Sequence, residues 1–289
     1  MSTSIYGIDV SKHNGAVNWQ QVKQAGKEFA FIRLGWAGYD GRIEANGGLD
    51  SLFHRNMQAA IAAGMHVGVY VYSYAKSAAA AIVAARETLE LVKPYQLDYP
   101  IAWDIEDQQY IHMDKALVTQ IADAYLAHIE QAGYYGLLYT YKNFAEPYLN
   151  MTALARYDVW IAQYAAKCTY TGKYGIWQYA GEAGRCPGVT GSCDLNISYK
   201  DYAKLIQDAG LNGLGKAQPP VVDDVPADTV PAAEFEALAG LYDVLLDDHQ
   251  RLQVDYDTLA LLHDAAVADA DKLRAIREEI QALVERYKV

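Results

Sequence analysis

The sequence predicts an α/β protein: an eight-stranded (β/α) barrel with several helices shortened or missing, followed by a linker and an α-helical tail. Three observations lead there. Strand-like apolar runs alternate with helix-like runs through the first 210 residues. Glycines stand behind four of the helical runs, at Gly26, Gly64, Gly133 and Gly210, where helix C-termini favour them. Acidic residues fall at the ends of strand runs, and in such barrels the C-terminal strand ends share one mouth.

In chain order, the first strand is predicted over Ile5–Val10 and carries Asp9 near its end. A helix over Val17–Ala25 leads to a second strand, Phe29–Leu34. A helix over Leu49–Ala63 precedes the third strand, His66–Tyr74, and a helix over Ser77–Val92 precedes the fourth, Ile101–Glu106. The helix Lys115–Ala132 leads to a fifth strand, Tyr134–Tyr141. The remaining strands, Asp158–Tyr164, Tyr174–Tyr179 and Asp194–Tyr199, stand closer together and leave little room for helices between the fifth and the eighth. A last helix is predicted over Asp201–Gln207. The packed domain is thus bounded at residues 1–210.

The fourth strand holds the most informative pair. In Pro100-Ile-Ala-Trp-Asp-Ile-Glu-Asp107, Asp104 and Glu106 sit two positions apart, on one face of an apolar strand. A buried carboxylate is costly without a partner or a task, and two neighbours push each other's pKa apart. The plainer reading is a strand end with two solvated acids. Asp9 ending a distant strand weakens that reading, because the two ends meet at one mouth. Asp194 begins the eighth strand or precedes it, so topology alone places it less securely.

Composition excludes several classes. The net charge of −12 argues against a basic nucleic-acid surface. No apolar run reaches membrane-spanning length, and Met1–Ser4 leads into a strand without a signal-peptide pattern, so synthesis in the cytoplasm is expected. Tyrosine is abundant, at 24 residues, which suits flat amphipathic surfaces. The cysteine count, three, is odd. Cys186 and Cys193 bracket a Gly/Pro-rich loop and could bridge in an oxidising setting; reduced thiols are the favoured reading, with Cys168 apart. No Cys/His spacing suggests zinc, and His54, His66, His112 and His128 show no metal-like pairing.

Residues 211–233 read as a linker, glycine-rich at first and then rich in proline and aspartate. From 234 to 289 a heptad pattern runs through Phe235, Leu238, Tyr242, Leu245, His249, Leu252, Tyr256 and Leu259. It continues through His263, Ala266, Ala270, Leu273, Arg277, Ile280, Val284 and Tyr287. A long self-associating helix, and hence a homo-oligomer through residues 235–289, is expected; a folded-back bundle is the rival. Residues 217–289 carry 16 acidic and 6 basic side chains, leaving the first 216 near neutrality. That charge makes the tail a poor anchor on an anionic surface.

The ordered series Tyr6-Gly-Ile-Asp-Val-Ser11, Asn18-Trp19, Phe31-Ile-Arg33, Gly68-Val-Tyr-Val-Tyr72, Ala102-Trp-Asp-Ile-Glu106, Trp160-Ile-Ala-Gln-Tyr164, Ile176-Trp-Gln-Tyr179 and Cys193-Asp194 resembles the lysozymes of glycoside hydrolase family 25, the Chalaropsis-type muramidases. The resemblance covers residues 5 to about 208. It implies a flattened, partly degenerate TIM-like barrel that cleaves the β-1,4 bond between N-acetylmuramic acid and N-acetylglucosamine in bacterial peptidoglycan, without a cofactor. By motif, Glu106 matches the proton donor, Asp104 its partner, and Asp9 and Asp194 the two further acids of the cleft. The negative field of Asp104, Asp9 and Asp194 is expected to raise the Glu106 pKa. Tyr72, Tyr74, Tyr139 and Trp177 are candidate sugar-stacking walls, with Arg33 and Gln163 as polar contacts. Taken singly, an aromatic on a barrel strand is more often core than ligand-binding, and the rival role for Arg33 is a counter-ion to the acids. A phage endolysin acting on the wall after release is the implied role. Its rivals are a bacterial autolysin, a metal-dependent barrel enzyme binding Mg²⁺ or Ca²⁺ through the four acids, and an inactive wall-binding protein.

Overall fold

A computed structural model of the chain describes residues 4–214 and Arg277. The rest of the linker and the heptad tail, with the expected self-association, lie outside the described residues. Eight strands close a barrel in sequence order: β1 (Ile5–Val10), β2 (Phe29–Ala37), β3 (His66–Ser73), β4 (Ile101–Asp104), β5 (Gly136–Tyr141), β6 (Asp158–Ala162), β7 (Ile176–Ala180) and β8 (Asp194–Ser198). Outside them lie α1 (Trp19–Gln24), α2 (Phe53–Ala62), α3 (Ala78–Val92), α4 (Lys115–Gln131), α5 (Lys142–Tyr148) and α6 (Tyr202–Asp208).

Side-chain caps set the helix starts. Ser77 accepts from the Ala80 N–H to open α3, and Asp114 accepts from the Ala116 and Leu117 N–H groups to open α4. α4 then buries Val118, Ile121, Ala122, Tyr125, Leu126 and Ile129, a spacing of three and four that lays one face on the barrel. α2 starts at Phe53 rather than at the predicted Leu49. The reason is tertiary: Leu49 bridges to Gly35 and the Asp50 side chain is committed elsewhere. The short α5 was not expected, since Pro147 lies inside it. No helix follows β6 or β7.

Strand alternation sorts the core into two layers. Phe29, Phe31, Leu137, Trp160 and Ile176 fill the barrel interior, with Phe31 stacked on Trp160 at 4.4 Å. Gly68 makes room for them: a Cβ there would stand 2.6 Å from the Phe31 ring. The alternate positions, such as Val69, Trp103 and Ile161, face the surrounding helices, where Trp103 stacks on Tyr125 of α4 at 3.9 Å. Tyr202 and Ile206 of α6 join the interior layer.

The barrel departs from the uniform βα alternation in one place. β8 runs antiparallel to both β7 and β1. The segment 181–193 connecting β7 to β8 has no helix to carry the chain back, so β8 returns as a hairpin partner. Residues 211–214, the start of the predicted linker, pack onto the barrel. Buried Asn212 donates from Nδ2 to the Leu97 and Tyr99 carbonyls and accepts from the Tyr135 N–H. Among the described residues no helix is long and apolar enough to cross a membrane.

Candidate active site

The reversal of β8 brings the acids together. An antiparallel strand starts where its neighbours end, so Asp194, the first residue of β8, lies at the mouth formed by the C-terminal ends of β1 and β4. Its partner across the ladder is Asp9. On the other side, Tyr72 of β3, Asp104 of β4 and Tyr139 of β5 stand abreast in register. All four predicted acids therefore converge on one mouth. β4, however, ends at Asp104, and Glu106 lies just beyond it. There the chain turns into a short 3-10 segment capped by Asp107, whose side chain accepts from the Gln109 N–H.

Asp9 is 4% exposed, and two amides hold it. Gln178 Nε2 and Asn196 Nδ2 each donate to Asp9 Oδ2 at 2.8 Å. Behind them Tyr139 donates its hydroxyl to Gln178 Oε1 at 2.9 Å, and Trp160 Nε1 donates to Asn196 Oδ1 at 2.8 Å. Burial pushes the Asp9 carboxyl well above the usual carboxylate range, with repulsion from Asp194 second. Burial raises Asp194 too, while a hydrogen bond from Asp9 lowers it. Both carboxyls of the pair are thus raised, Asp9 the more strongly.

Asp104 and Glu106 form the second pair. Burial, then the neighbouring Glu106 and Asp9 charges, push Asp104 well up, and Arg33 pulls it down. Burial raises Glu106 to about 7; the nearby Tyr139 hydroxyl opposes the rise, and repulsion from Asp194 and Asp107 adds to it. The expected field of Asp104, Asp9 and Asp194 is therefore not what chiefly raises Glu106: burial leads, and the charges that add to it are Asp194 and Asp107. Within the described residues, the buried oxygens Asp104 Oδ1 and Glu106 Oε2 have no hydrogen-bond partner.

The other predicted residues divide. Tyr72 donates to Asp107 Oδ2 at 3.0 Å and packs against Tyr74, ring centroids 5.0 Å apart. Tyr139 borders the acids. Arg33 is fastened by Asp50, through Nε at 2.9 Å and Nη2 at 2.8 Å, so its counter-ion is Asp50 while its field reaches Asp104. Trp177 and Gln163 are not brought to the acids. Trp177 occupies the outward-facing register next to inward-facing Gln178, lies in the outer core layer and donates to the Gln163 carbonyl. The Gln163 amide is taken at both ends by Thr169.

Gln178, Asn196, Asp50 and Asp107 escaped the sequence reading. The period of two from Ile176 to Gln178, and from Asp194 to Asn196, was the available signal for the two amides. Cys186 and Cys193 are buried free thiols, and their mutual hydrogen bond lowers the Cys186 pKa to about 7. Among the described residues no three His, Cys, Asp or Glu side chains are grouped to hold a metal ion. What the mouth offers is a carboxyl protonated near neutral pH beside further acids in a partly desolvated cleft.

Known proteins share this arrangement of chain. The family model for glycosyl hydrolases family 25 matches residues 8–189. The "Autolytic lysozyme" of Clostridium acetobutylicum is 29% identical over 193 residues, covering 66% of this chain and 54% of that protein. The uncharacterized protein YegX of Escherichia coli O157:H7 is 28% identical over 209 residues, covering 68% of this chain and 70% of YegX. Among solved structures, the modular autolysin LytC of Streptococcus pneumoniae superposes with a TM-score of 0.58 at 27% identity; the match covers 67% of this chain and 46% of LytC. The bacterial lysozyme of Streptomyces coelicolor shares the fold, with a TM-score of 0.58 at 23% identity over 74% of this chain and 99% of that one.

Proposed function

Because this chain belongs to glycosyl hydrolase family 25, we propose that its barrel is a muramidase, hydrolysing the β-1,4 bond between N-acetylmuramic acid and N-acetylglucosamine in bacterial peptidoglycan. The chain is a glycoside hydrolase, and the similarity to an autolytic lysozyme and to the autolysin LytC supports the wall as its substrate. The observation that carries the reading is Glu106: a carboxyl whose pKa is raised to about 7 beside Asp104, at the barrel mouth that also holds Asp9 and Asp194. Glycosidic cleavage needs one protonated carboxyl at the leaving oxygen and negative charge near an oxocarbenium-like carbon.

In this reading Glu106 delivers its proton to the glycosidic oxygen as the C–O bond breaks. Asp104, raised by burial and by its acidic neighbours but drawn back toward ionisation by Arg33, orients the acetamido group or the water that attacks the sugar carbon. Asp9, fixed by Gln178 and Asn196, stands beside Asp194 and holds the far wall of the cleft. Digestion of defined peptidoglycan tests this: new muramic acid reducing ends are expected, and glucosamine reducing ends would defeat the muramidase reading.

The proposal extends to host lysis as an endolysin; autolysis by the same chemistry is the alternative that the Clostridium relative supports. The heptad pattern of residues 235–289 supports self-association of the tail. Light scattering should therefore give a larger subunit number for the full chain than for residues 1–214. Equal, monomeric masses would remove the coiled coil.

A further inference from the structure

One deeply buried carboxylate lies outside the four acids of the mouth. Asp50, in the segment between β2 and α2, is 3% exposed. We propose that Asp50 is a positioning residue for the cleavage: it holds the Arg33 guanidinium off Asp104, so that Arg33 acts on the acids through its field and not as a direct ion-pair partner. The substrate in this proposal rests on the muramidase reading; the geometry does not.

A slip in β2 brings Asp50 to Arg33. The ladder between β1 and β2 ends at Val10 and Ile32, while β2 itself runs on to Ala37. Between Arg33 and Gly35 its register against β3 shifts by one residue, so Trp36 pairs with Tyr72 and shares its face of the sheet. Residues 48–50 take the edge that β1 leaves open. Leu49 bridges to Gly35, the Trp36 N–H donates to the Gly48 carbonyl at 3.0 Å, and the Asp50 N–H donates to the Leu34 carbonyl at 2.9 Å. Two glycines permit the approach. A Cβ on Gly35 would stand 2.3 Å from the Gly48 oxygen, and one on Gly48 would stand 2.2 Å from the Trp36 oxygen. Backbone contacts therefore fix where Asp50 stands.

The carboxylate is then surrounded by donors. Its Oδ2 accepts from Arg33 Nε at 2.9 Å, from Arg33 Nη2 at 2.8 Å and from the Lys12 N–H at 2.9 Å. Its Oδ1 accepts from the Leu52 N–H at 2.9 Å. The two backbone donors come from the turn after β1 and from the approach to α2, so the carboxylate cannot follow the arginine if it moves. Two donors of one guanidinium on one oxygen fix the plane of the group as well as its position.

What Arg33 faces explains the need for this hold. Its charge bears on Asp104, Tyr70 and Tyr74. Asp104 and Glu106 are themselves faced by Asp9 from β1, Asp194 from β8 and Asp107 beyond β4. The hydroxyls of Tyr72 and Tyr139, from β3 and β5, complete the surroundings. A guanidinium beside so many acids is drawn onto one of them. Paired directly with Arg33, Asp104 would be locked as a carboxylate with its oxygens engaged, unable to orient the acetamido group or the water. Asp50 offers Arg33 a carboxylate already in place, and the cation is held without touching the reacting groups.

The test uses the full chain with Asp50→Asn, Arg33→Gln and both together. Carboxyl-carbon NMR follows the titration of Asp104 and Glu106 without substrate, and turnover is read on purified peptidoglycan. Asp50→Asn leaves the positive charge uncompensated and free to close on Asp104, so the pair should titrate roughly one pH unit lower. In the same variant kcat should fall about tenfold, the result of a displaced group beside the reacting atoms. Arg33→Gln leaves the Asp50 charge uncompensated, and the pair should titrate higher. The double variant removes both charges and should titrate close to wild type. Its turnover should equal that of Arg33→Gln alone, because no guanidinium is left to restrain. Where Asp50→Asn fails to fold, the double variant, which strands no buried charge, still has to titrate below Arg33→Gln; coincident titrations would overturn the proposal. So would a loss of turnover on Asp50→Asn that is equal in both backgrounds with the titrations unmoved, the signature of a carboxylate that only anchors Lys12 and Leu52. Unmoved titrations with muramic acid ends intact fault Asp50 alone; moved titrations with glucosamine ends fault the muramidase reading alone.

Discussion

Glu106→Gln is expected to lower turnover on peptidoglycan by roughly 10²–10⁴-fold, the usual contribution of a positioned general acid, and at the same time to raise stability at alkaline pH. The two effects have one cause. Glu106 is raised from its ordinary 4.5 to about 7, chiefly by burial, so the native state binds a proton more tightly than the unfolded chain does. For a carboxyl raised in this way, the native state carries no penalty while both states are protonated. The penalty grows as pH climbs from about 4.5 to 7 and is complete above that. Glutamine carries no charge and escapes it. The stability advantage of the variant should therefore be close to nil at pH 4 and reach on the order of 3 kcal/mol by pH 8. In the wild-type enzyme, kcat/KM should fall above pH 7 as Glu106 loses the proton it donates. Lysis rates and thermal midpoints of both proteins at pH 4, 6 and 8 decide the matter. Near-normal lysis by the variant would remove Glu106 as the acid, and a midpoint that drops at pH 8 would contradict the buried-charge account.

Trp160→Ala should be the most damaging single change to the fold. Trp160 is 1% exposed inside the barrel, stacked on Phe31 at 4.4 Å and set edge-on to Tyr139 at 4.6 Å. Removing so large a buried ring costs about 3–5 kcal/mol in lost transfer energy and cavity. For a domain of this size that lowers the thermal midpoint by roughly 10 °C. The indole N–H also holds Asn196, which in turn donates to Asp9. The variant should thus lose activity beyond what partial unfolding explains. Trp160→Phe is the control: it refills most of the volume but leaves Asn196 Oδ1 without its donor. Its midpoint should recover further than its turnover. An alanine variant that melts within about 2 °C of wild type would show that the interior layer is not built around this ring.

The acids were legible early because they break a local rule. A carboxylate on an apolar strand is conspicuous in any sequence, and Asp104 in Ile101-Ala-Trp-Asp104 needed no structure to be noticed. The amides that hold Asp9 break no rule. Gln178 follows Trp177, the larger and more conspicuous side chain, which the strand turns outward; alternation along β7 puts the smaller neighbour inside. Arg33 and Asp50, 17 residues apart, could not be paired from a pattern of propensities, because the contact is made between β2 and the segment that precedes α2. The same holds for Trp36, whose orientation depends on a one-residue slip that leaves no mark on composition.

Local chemistry, then, was enough to establish the alternating α/β plan and to single out the four carboxyls that the barrel brings to one mouth, since each follows from residue type and short-range spacing. The direction of β8, the partners of the four acids, the burial that raises Glu106 and the facing of Trp36 and Trp177 were decided only by closure of the barrel. Strand direction, register and desolvation depend on what stands across the sheet. Those neighbours come from segments as much as 187 residues away, as Asn196 is from Asp9.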